Sequence, residues 1–482
     1  MTAASLHWFR DDLRLADNPG LASSVAHGPV LCLYILDEGG DRRPLGGVSR
    51  WWLSRSLASL SRDLAAKGGE LVVMRGLPES IIPRIVAEAG IDLVTWSRRY
   101  EAPAIALDKG LKAQLEADGV AVETYGSLLL NEPWQVTTKR GEPVKVFTPY
   151  WRAARARGEP AAPRPAPDAI RRCPLPESLS RDAVQVGELG LEPTSPDWAA
   201  GLRDSWVPGE AGAVERFADF LDSGMSGYAE RRDRPDHAGT SRLSPHLRFG
   251  EIGPRQIWQA LRTAQDSGRA AGSAGDAEKF LSELGWREFS YHLLFNNPAL
   301  ATRNYDRRFD AFPWRSDSYA LSAWQRGLTG YPIVDAGMRE LWATGWMHNR
   351  VRMIAASFLI KHLLIDWRAG EDWFWDTLVD ADPANNAASW QWVAGSGADA
   401  SPYYRIFNPV TQGRKFDPRG DYVRRWVPEI AGLPDDAIHD PGNCSQVELA
   451  AAGIKLGTTY PWPIIGLDQG RERALAALAS IR

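Results

Sequence analysis

Cysteine is scarce in this chain of 482 residues. Cys32, Cys173 and Cys444 stand far apart and form no CxxC pair. That excludes a disulfide framework and a cysteine-based zinc site, and no metal is expected. Basic charge is not in excess either. The formal net charge is -4, so any grip on nucleic acid has to come from a local patch. No run of about eighteen apolar residues occurs, so no membrane span is expected. The start, MTAASLHWFRDDLRL, lacks the apolar core of a secretory leader and brings charges early, which makes the cytoplasm the expected location. No internal repeat is found. What the chain has in plenty is tryptophan, at 21 residues. Core filling takes the larger share of these indoles, and the surplus hints at redox or stacking chemistry. The length, with 44% apolar and 24% charged residues, predicts a globular chain of two domains.

The first third alternates strands and helices. Leu6–Phe9 and the fully apolar run Val30–Leu36 read as buried parallel strands. Glu70–Met74, Leu93–Trp96 and Val120–Thr124 supply three more. Helices are expected at Asn18–Val25, Val48–Lys67, Glu79–Ala89 and Ala102–Asp118, several closed by glycine. The rhythm implies an α/β, Rossmann-like domain with a parallel sheet. The first turn lacks Gly-x-Gly-x-x-Gly, so the usual dinucleotide fingerprint is missing. The segment Gly158–Pro176 is rich in proline and reads as irregular surface chain. Beyond Gly212 only helical spacing is seen, at 213–222, 254–265, 276–294, 333–345, 348–364 and 371–379. The expected organisation is an α/β domain over 1–130, a linker over 131–211 and an all-α domain over 212–482.

Four segments of the helical part carry candidate chemistry. In Asp380-Ala381-Asp382-Pro383-Ala384-Asn385-Asn386, Asp382 before Pro383 reads as the cap of a helix. Asp382, Asn386 and Trp390 then share one face. Such a stripe suits a polar heterocycle, and a capped helix with a polar stripe explains it equally well. In His348-Asn349-Arg350-Val351-Arg352-Met353, Asn349 and Met353 share a face, and Arg352 has Asp380 or Asp382 as possible partner. Two solvated arginines are the plainer account. Glu283, Trp286 and Arg287 fall on one helix face, where an acid can bond a base edge while an indole stacks on it. A surface ion pair over a core tryptophan gives the same pattern. Thr240-Ser241-Arg242-Leu243-Ser244 offers hydroxyls and amides to a diphosphate, or simply caps a helix.

Together these segments resemble the photolyase/cryptochrome family. So do Trp8-Phe9-Arg10-Asp11-Asp12-Leu13-Arg14-Leu15, Thr329-Gly330-Tyr331-Pro332-Ile333-Val334-Asp335-Ala336 and Arg405-Ile406-Phe407-Asn408-Pro409. The resemblance runs from residue 5 to residue 475 or thereabouts, and it is to a bacterial photolyase for cyclobutane pyrimidine dimers, of the branch related to plant cryptochromes. It implies a helical FAD-binding domain and light-driven repair of DNA through electron transfer from reduced, anionic FAD to a dimer flipped out of the stack. Tyr228, Thr240, Ser241, Arg242, Leu243 and Ser244 match the segment around the FAD diphosphate. Phe280, Arg287, Asn349, Arg352, Asp380, Asp382 and Asn386 match other cofactor positions, with Asn386 facing flavin N5. Glu283, Trp286, Asn349, Met353 and Trp392 match the dimer pocket, and Arg232, Arg350 and Arg405 match phosphate-gripping positions. Trp390, Trp367 and Trp314 match the chain of indoles that carries electrons to the flavin.

The resemblance also implies an antenna. The usual Asn-Glu pair for folate is replaced by Tyr100-Glu101-Ala102-Pro103-Ala104, so a folate of the methenyltetrahydrofolate type is expected in an altered site, with Trp51, Trp52 and Glu101 as candidates. Core packing is the other use of the two indoles. The expected partner is DNA containing pyrimidine dimers, bound by a monomer with no obligate protein partner. The alternative function is a blue-light photoreceptor cryptochrome without repair activity. Asn386, where plant cryptochromes carry an acid, and a chain ending at Arg482 without a long tail speak for repair.

Overall fold

The computed structural model describes residues 3–39, 43–268, 272–400 and 404–481. The chain forms two compact units that do not follow its linear order. The first comprises Met1–Val144, Thr148–Ser226 and Ser241–Pro298, and the second Lys145–Phe147, Gly227–Thr240 and Ala299–Arg482.

The first unit is built on five parallel strands, β1 (Ser5–Phe9), β2 (Val30–Leu36), β3 (Leu71–Arg75), β4 (Leu93–Ser97) and β5 (Ala121–Tyr125). Their order is β3-β2-β1-β4-β5. Strands β1, β2 and β4 are buried along their whole length, which is why their sequences are continuous apolar runs rather than alternating ones. Helices α1 (Pro19–His27), α2 (Gly47–Ala66), α3 (Pro78–Ala89) and α4 (Ala102–Ala117) follow the first four strands. Asn18 caps α1 by accepting from the Leu21 amide at 3.0 Å. Trp8 pairs with Leu33 and Trp96 across the sheet and lies in its core.

The strand order reverses between β1 and β4, the place where α/β sheets usually admit a ligand. Here that crevice holds the chain's own charges. Arg10 pairs with Asp108 at 2.6 Å and also donates to the Ser97 carbonyl. Asp11 is shared by Arg99 at 2.8 Å and Arg248 at 2.9 Å, and Ser97 donates to Asp12 at 2.6 Å. The proline-rich segment is irregular, as its composition demands, but it is stitched to this unit. Asp17, Lys67 and Val30 exchange backbone hydrogen bonds of 2.7 to 3.0 Å with Arg164, Ile170, Arg171 and Cys173. A long helix, Ala274–Asn296, also belongs to this unit. Its capping box pairs Ser273 with Asp276.

The second unit is helical among its described residues, apart from one isolated bridge between Leu456 and Tyr460. Its core gathers Trp324, Val334, Phe358, Leu359, Trp367, Phe374 and Trp390 from five helical stretches. Three expected elements differ in detail. The helix expected over 348–364 is an α-helix at Asn349–Ser357 followed by a π-turn at Phe358–His362, with His348 as its cap. The helix expected from Glu371 starts at Trp367, because Asp366 accepts from the Arg368 amide at 3.0 Å. The helix expected from Pro383 starts at Asn385. Asp382 spends its carboxylate on the Ala384 and Asn385 amides at 2.9 and 2.7 Å, which closes a turn before regular helix begins.

Candidate cofactor and substrate site

In the second unit several polar candidates are fixed by a neighbour. Arg352 grips Asp380 with both arms, at 3.1 and 2.9 Å, while its Nε donates to the Met347 carbonyl at 2.7 Å. A fork of this kind fixes the plane of the carboxylate as well as its position. Of the two acids open to Arg352 in the sequence, the structure selects Asp380, whose side chain is 5% exposed. Arg350 is no solvated arginine either. It pairs with Asp233 at 2.6 Å and lies 4.5 Å from the Phe416 ring.

Asn386 is buried on the first turn of the helix Asn385–Ala394. Its Nδ2 donates to Oε1 of Glu371 at 2.7 Å and to the Glu371 carbonyl at 3.0 Å. Both amide hydrogens are therefore spent, and the carbonyl oxygen is the atom Asn386 offers to a ligand. Trp390, one turn on, lies so close to Gly370 that a Cβ there would overlap its six-membered ring. Trp367 is fully buried and donates to Asn304 at 2.9 Å. Trp314 is half-buried, with its ring 4.4 Å from Phe312. Trp390 and Trp367 lie in one core cluster, and Trp314 packs against it. Trp392 donates to the Asp399 carbonyl at 3.2 Å, and the Arg405 guanidinium stands 5.5 Å from its ring. Asn349 approaches the Met353 sulfur at 4.0 Å, as their shared face predicts. Tyr228 is buried, with Arg232 5.9 Å from its ring, and Thr240 is half-buried.

The first unit holds the other candidates. Arg242 has a positive φ of 50°, a backbone state that costs a non-glycine residue about 1 kcal/mol or more. Its guanidinium is 4.5 Å from the Trp206 ring. Ser241 is half-buried, Leu243 buried and Ser244 exposed. On the helix Ala274–Asn296, Phe280 belongs to an aromatic cluster with Phe217 and Phe220. Glu283 forms an i,i+4 pair with Lys279 at 3.4 Å and stays partly exposed. Trp286 meets Phe289 edge to face. Arg287 donates to the Leu128 and Leu247 carbonyls at 2.6 and 3.3 Å, so its guanidinium ties the helix to one loop and to the short helix Ser244–Arg248 of its own unit.

The expected antenna residues serve the fold. Trp51 and Trp52 are 1% and 0% exposed. Trp52 stacks on Phe249, meets Trp206 and His246 edge-on, and donates to Glu251 at 2.9 Å. Both rings are covered, so a pterin stacked on either does not fit, and of the two uses open to them core packing is the one seen. Glu101 stands at the N-cap position of α4 without a side-chain cap bond, and its carboxylate accepts from the Tyr100 amide at 3.1 Å.

Sequence reading missed Glu371, Asn304, Asp233 and Lys361, which fix Asn386, Trp367, Arg350 and Arg405. Each acts across at least 15 residues of chain, and no spacing signals such a partner. Among the described residues no three His, Cys, Asp or Glu side chains gather as a metal site, and no helix is long and apolar enough to cross a membrane.

Known proteins are similar along the whole length. Residues 5–168 match the family described as DNA photolyase, and residues 280–480 match the FAD binding domain of DNA photolyase. A deoxyribodipyrimidine photo-lyase from Agrobacterium fabrum is 51% identical over 485 residues, covering 100% of this chain and 98% of that protein. Cryptochrome-1 of Arabidopsis thaliana is 38% identical over 489 residues, covering 99% of this chain and 70% of that protein. The crystal structure of a bacterial class III photolyase from Agrobacterium tumefaciens superposes with a TM-score of 0.95 at 50% identity, covering 100% of this chain and 98% of that one.

Proposed function

Since this chain belongs to the photolyase/cryptochrome family, we propose that it is a DNA photolyase that opens cyclobutane pyrimidine dimers in light. The observation that carries this reading is the orientation of Asn386. With both its N–H groups given to Glu371, it presents an acceptor and no donor. Reduced FAD carries a hydrogen at N5 and meets that acceptor favourably, whereas an oxidised ring would bring a lone pair against it. A site that favours the reduced ring suits repair better than sensing.

The residues present fit FAD in other ways. Asp380 is held by Arg352 in a fixed plane, and strained Arg242 marks the segment Thr240–Ser244 as shaped for something other than local stability. Tyr228, Phe280, Arg287, Asn349 and Asp382 complete the proposed cofactor set. FAD held by these residues would supply, when reduced and excited by blue light, the electron chemistry that opens the cyclobutane ring.

The chain's own residues bind and orient. Glu283 hydrogen-bonds the base edge of the dimer, its carboxylate accepting from a ring N–H, while Trp286, Asn349, Met353 and Trp392 offer apolar and polar surface to the rings. Arg232, Arg350 and Arg405 grip backbone phosphates. Trp390, Trp367 and Trp314 form the route by which outside electrons restore the reduced state. An antenna of the methenyltetrahydrofolate type, seated elsewhere than on Trp51 or Trp52, and action as a monomer belong to the same reading.

The test is repair of a thymine-dimer oligonucleotide by FAD-loaded, pre-reduced protein in blue light and in darkness. Loss of the dimer in light alone is expected. FAD that photoreduces without any loss of dimer would move the assignment to a photoreceptor.

A further inference from the structure

Lys361 is 2% exposed, in the π-turn Phe358–His362 of the second unit. A buried ammonium is costly unless it is paired. Among the described residues no carboxylate lies within salt-bridge distance of it. Burial, with help from the Arg405 charge, pulls its pKa down to about 7. Its partners are a carbonyl and a ring: Nζ donates to the backbone oxygen of Arg405 and stands 4.3 Å from the centroid of Tyr404. Both belong to one short strip of chain.

That strip is tied at a second point. The Phe407 amide donates to the Ser357 hydroxyl at 3.3 Å, and Ser357 lies one turn before Lys361. The backbone of 405–407 is thus stapled from beneath by a single helical stretch. Above the staple the Arg405 side chain is exposed, with its guanidinium 5.5 Å from the Trp392 ring. Trp392 is itself anchored through the Asp399 carbonyl. A guanidinium laid on an indole and open to solvent is a ready contact for a nucleic-acid phosphate, with the stacking face beside it.

We propose that Lys361 is the positioning residue of this contact, pinning the Arg405 backbone so that the guanidinium stays over Trp392 to receive a DNA phosphate. Lys361 is buried and touches no DNA. It acts through Arg405 alone, and the inference rests on the reading of the chain as a binder of damaged DNA.

The experiment is equilibrium binding of a dimer-containing oligonucleotide to FAD-loaded protein in the dark, at several salt concentrations. Lys361→Met is expected to weaken binding by about tenfold and to lower the salt slope by about 1, as if one phosphate contact were lost. In an Arg405→Ala background the same change is expected to cost less than about twofold, since the two act as one unit. Lys361→Gln, which keeps most of the packing and a shorter donor, should show the same pattern in smaller size, and it serves if the methionine variant does not fold. FAD content should match wild type throughout. Equal losses in both backgrounds, or wild-type affinity in both lysine variants, overturn the inference and leave the functional reading intact. Wild-type protein that fails to prefer dimer DNA overturns the reading, and the inference falls with it.

Discussion

Asn386 shows what one atom's direction decides. Replacing it with aspartate sets a carboxylate against Glu371 at hydrogen-bond distance, where two acids do not both ionise. One proton is then held between them, and the fixed acceptor is lost. Asn386→Asp is expected to stop photoreduction with a thiol donor short of the fully reduced state, followed by loss of blue absorption. If the variant bleaches as completely as wild type, the role given to Asn386 is wrong. Glu283→Ala is expected to lower the repair yield per photon roughly tenfold with FAD still bound. An unchanged yield removes Glu283 from the chemistry. At this scale the sequence was partly legible. Asn386, Arg352 and Asp380 could be singled out because they crowd short helical segments. Glu371 could not, because a lone glutamate fifteen residues away is the commonest kind of surface residue until the helices are packed.

Helices and strands set these atoms in place, and their legibility followed burial. The continuous apolar runs of β1, β2 and β4 could be read because a sheet buried on both faces leaves no other pattern. The start of the helix Trp367–Thr377 was missed because Gly370 looks like a break. Its lack of a side chain is instead what lets Trp390 approach. Gly370→Ala is expected to cost about 1 to 3 kcal/mol and to displace that indole, which denaturant unfolding and flavin photoreduction would register together. Inside the helix Ala274–Asn296, Glu288 accepts from the Leu130 and Asn131 amides at 2.9 Å each. Burial raises its pKa from 4.5 to about 7. Between those values the folded chain holds a proton that the unfolded chain has released, so this carboxyl makes stability fall as pH rises across that window. Glu288→Gln should flatten that part of a thermal-unfolding profile taken against pH. A profile with its slope unchanged assigns the dependence to another group.

For the molecule as a whole, a net charge of -4 means that DNA is held by a few placed cations rather than by a general field. If Arg232, Arg350 and Arg405 are those cations, the logarithm of affinity should fall against the logarithm of salt with a slope of about -3. A slope near zero rules out phosphate contact at these sites. The two-part architecture was legible from the change of rhythm after the proline-rich segment. The true course of the chain was not, because residues 241–298 join the first unit through contacts that sequence order hides. The filled crevice between β1 and β4 has a consequence of its own. The domain keeps the outline of a nucleotide carrier, yet its mouth is shut by Arg10, Asp11, Arg99 and Arg248. A guest seeking the customary doorway would first have to pull apart salt links that brace the ends of β1 and β4, so that what is elsewhere a container serves here as masonry.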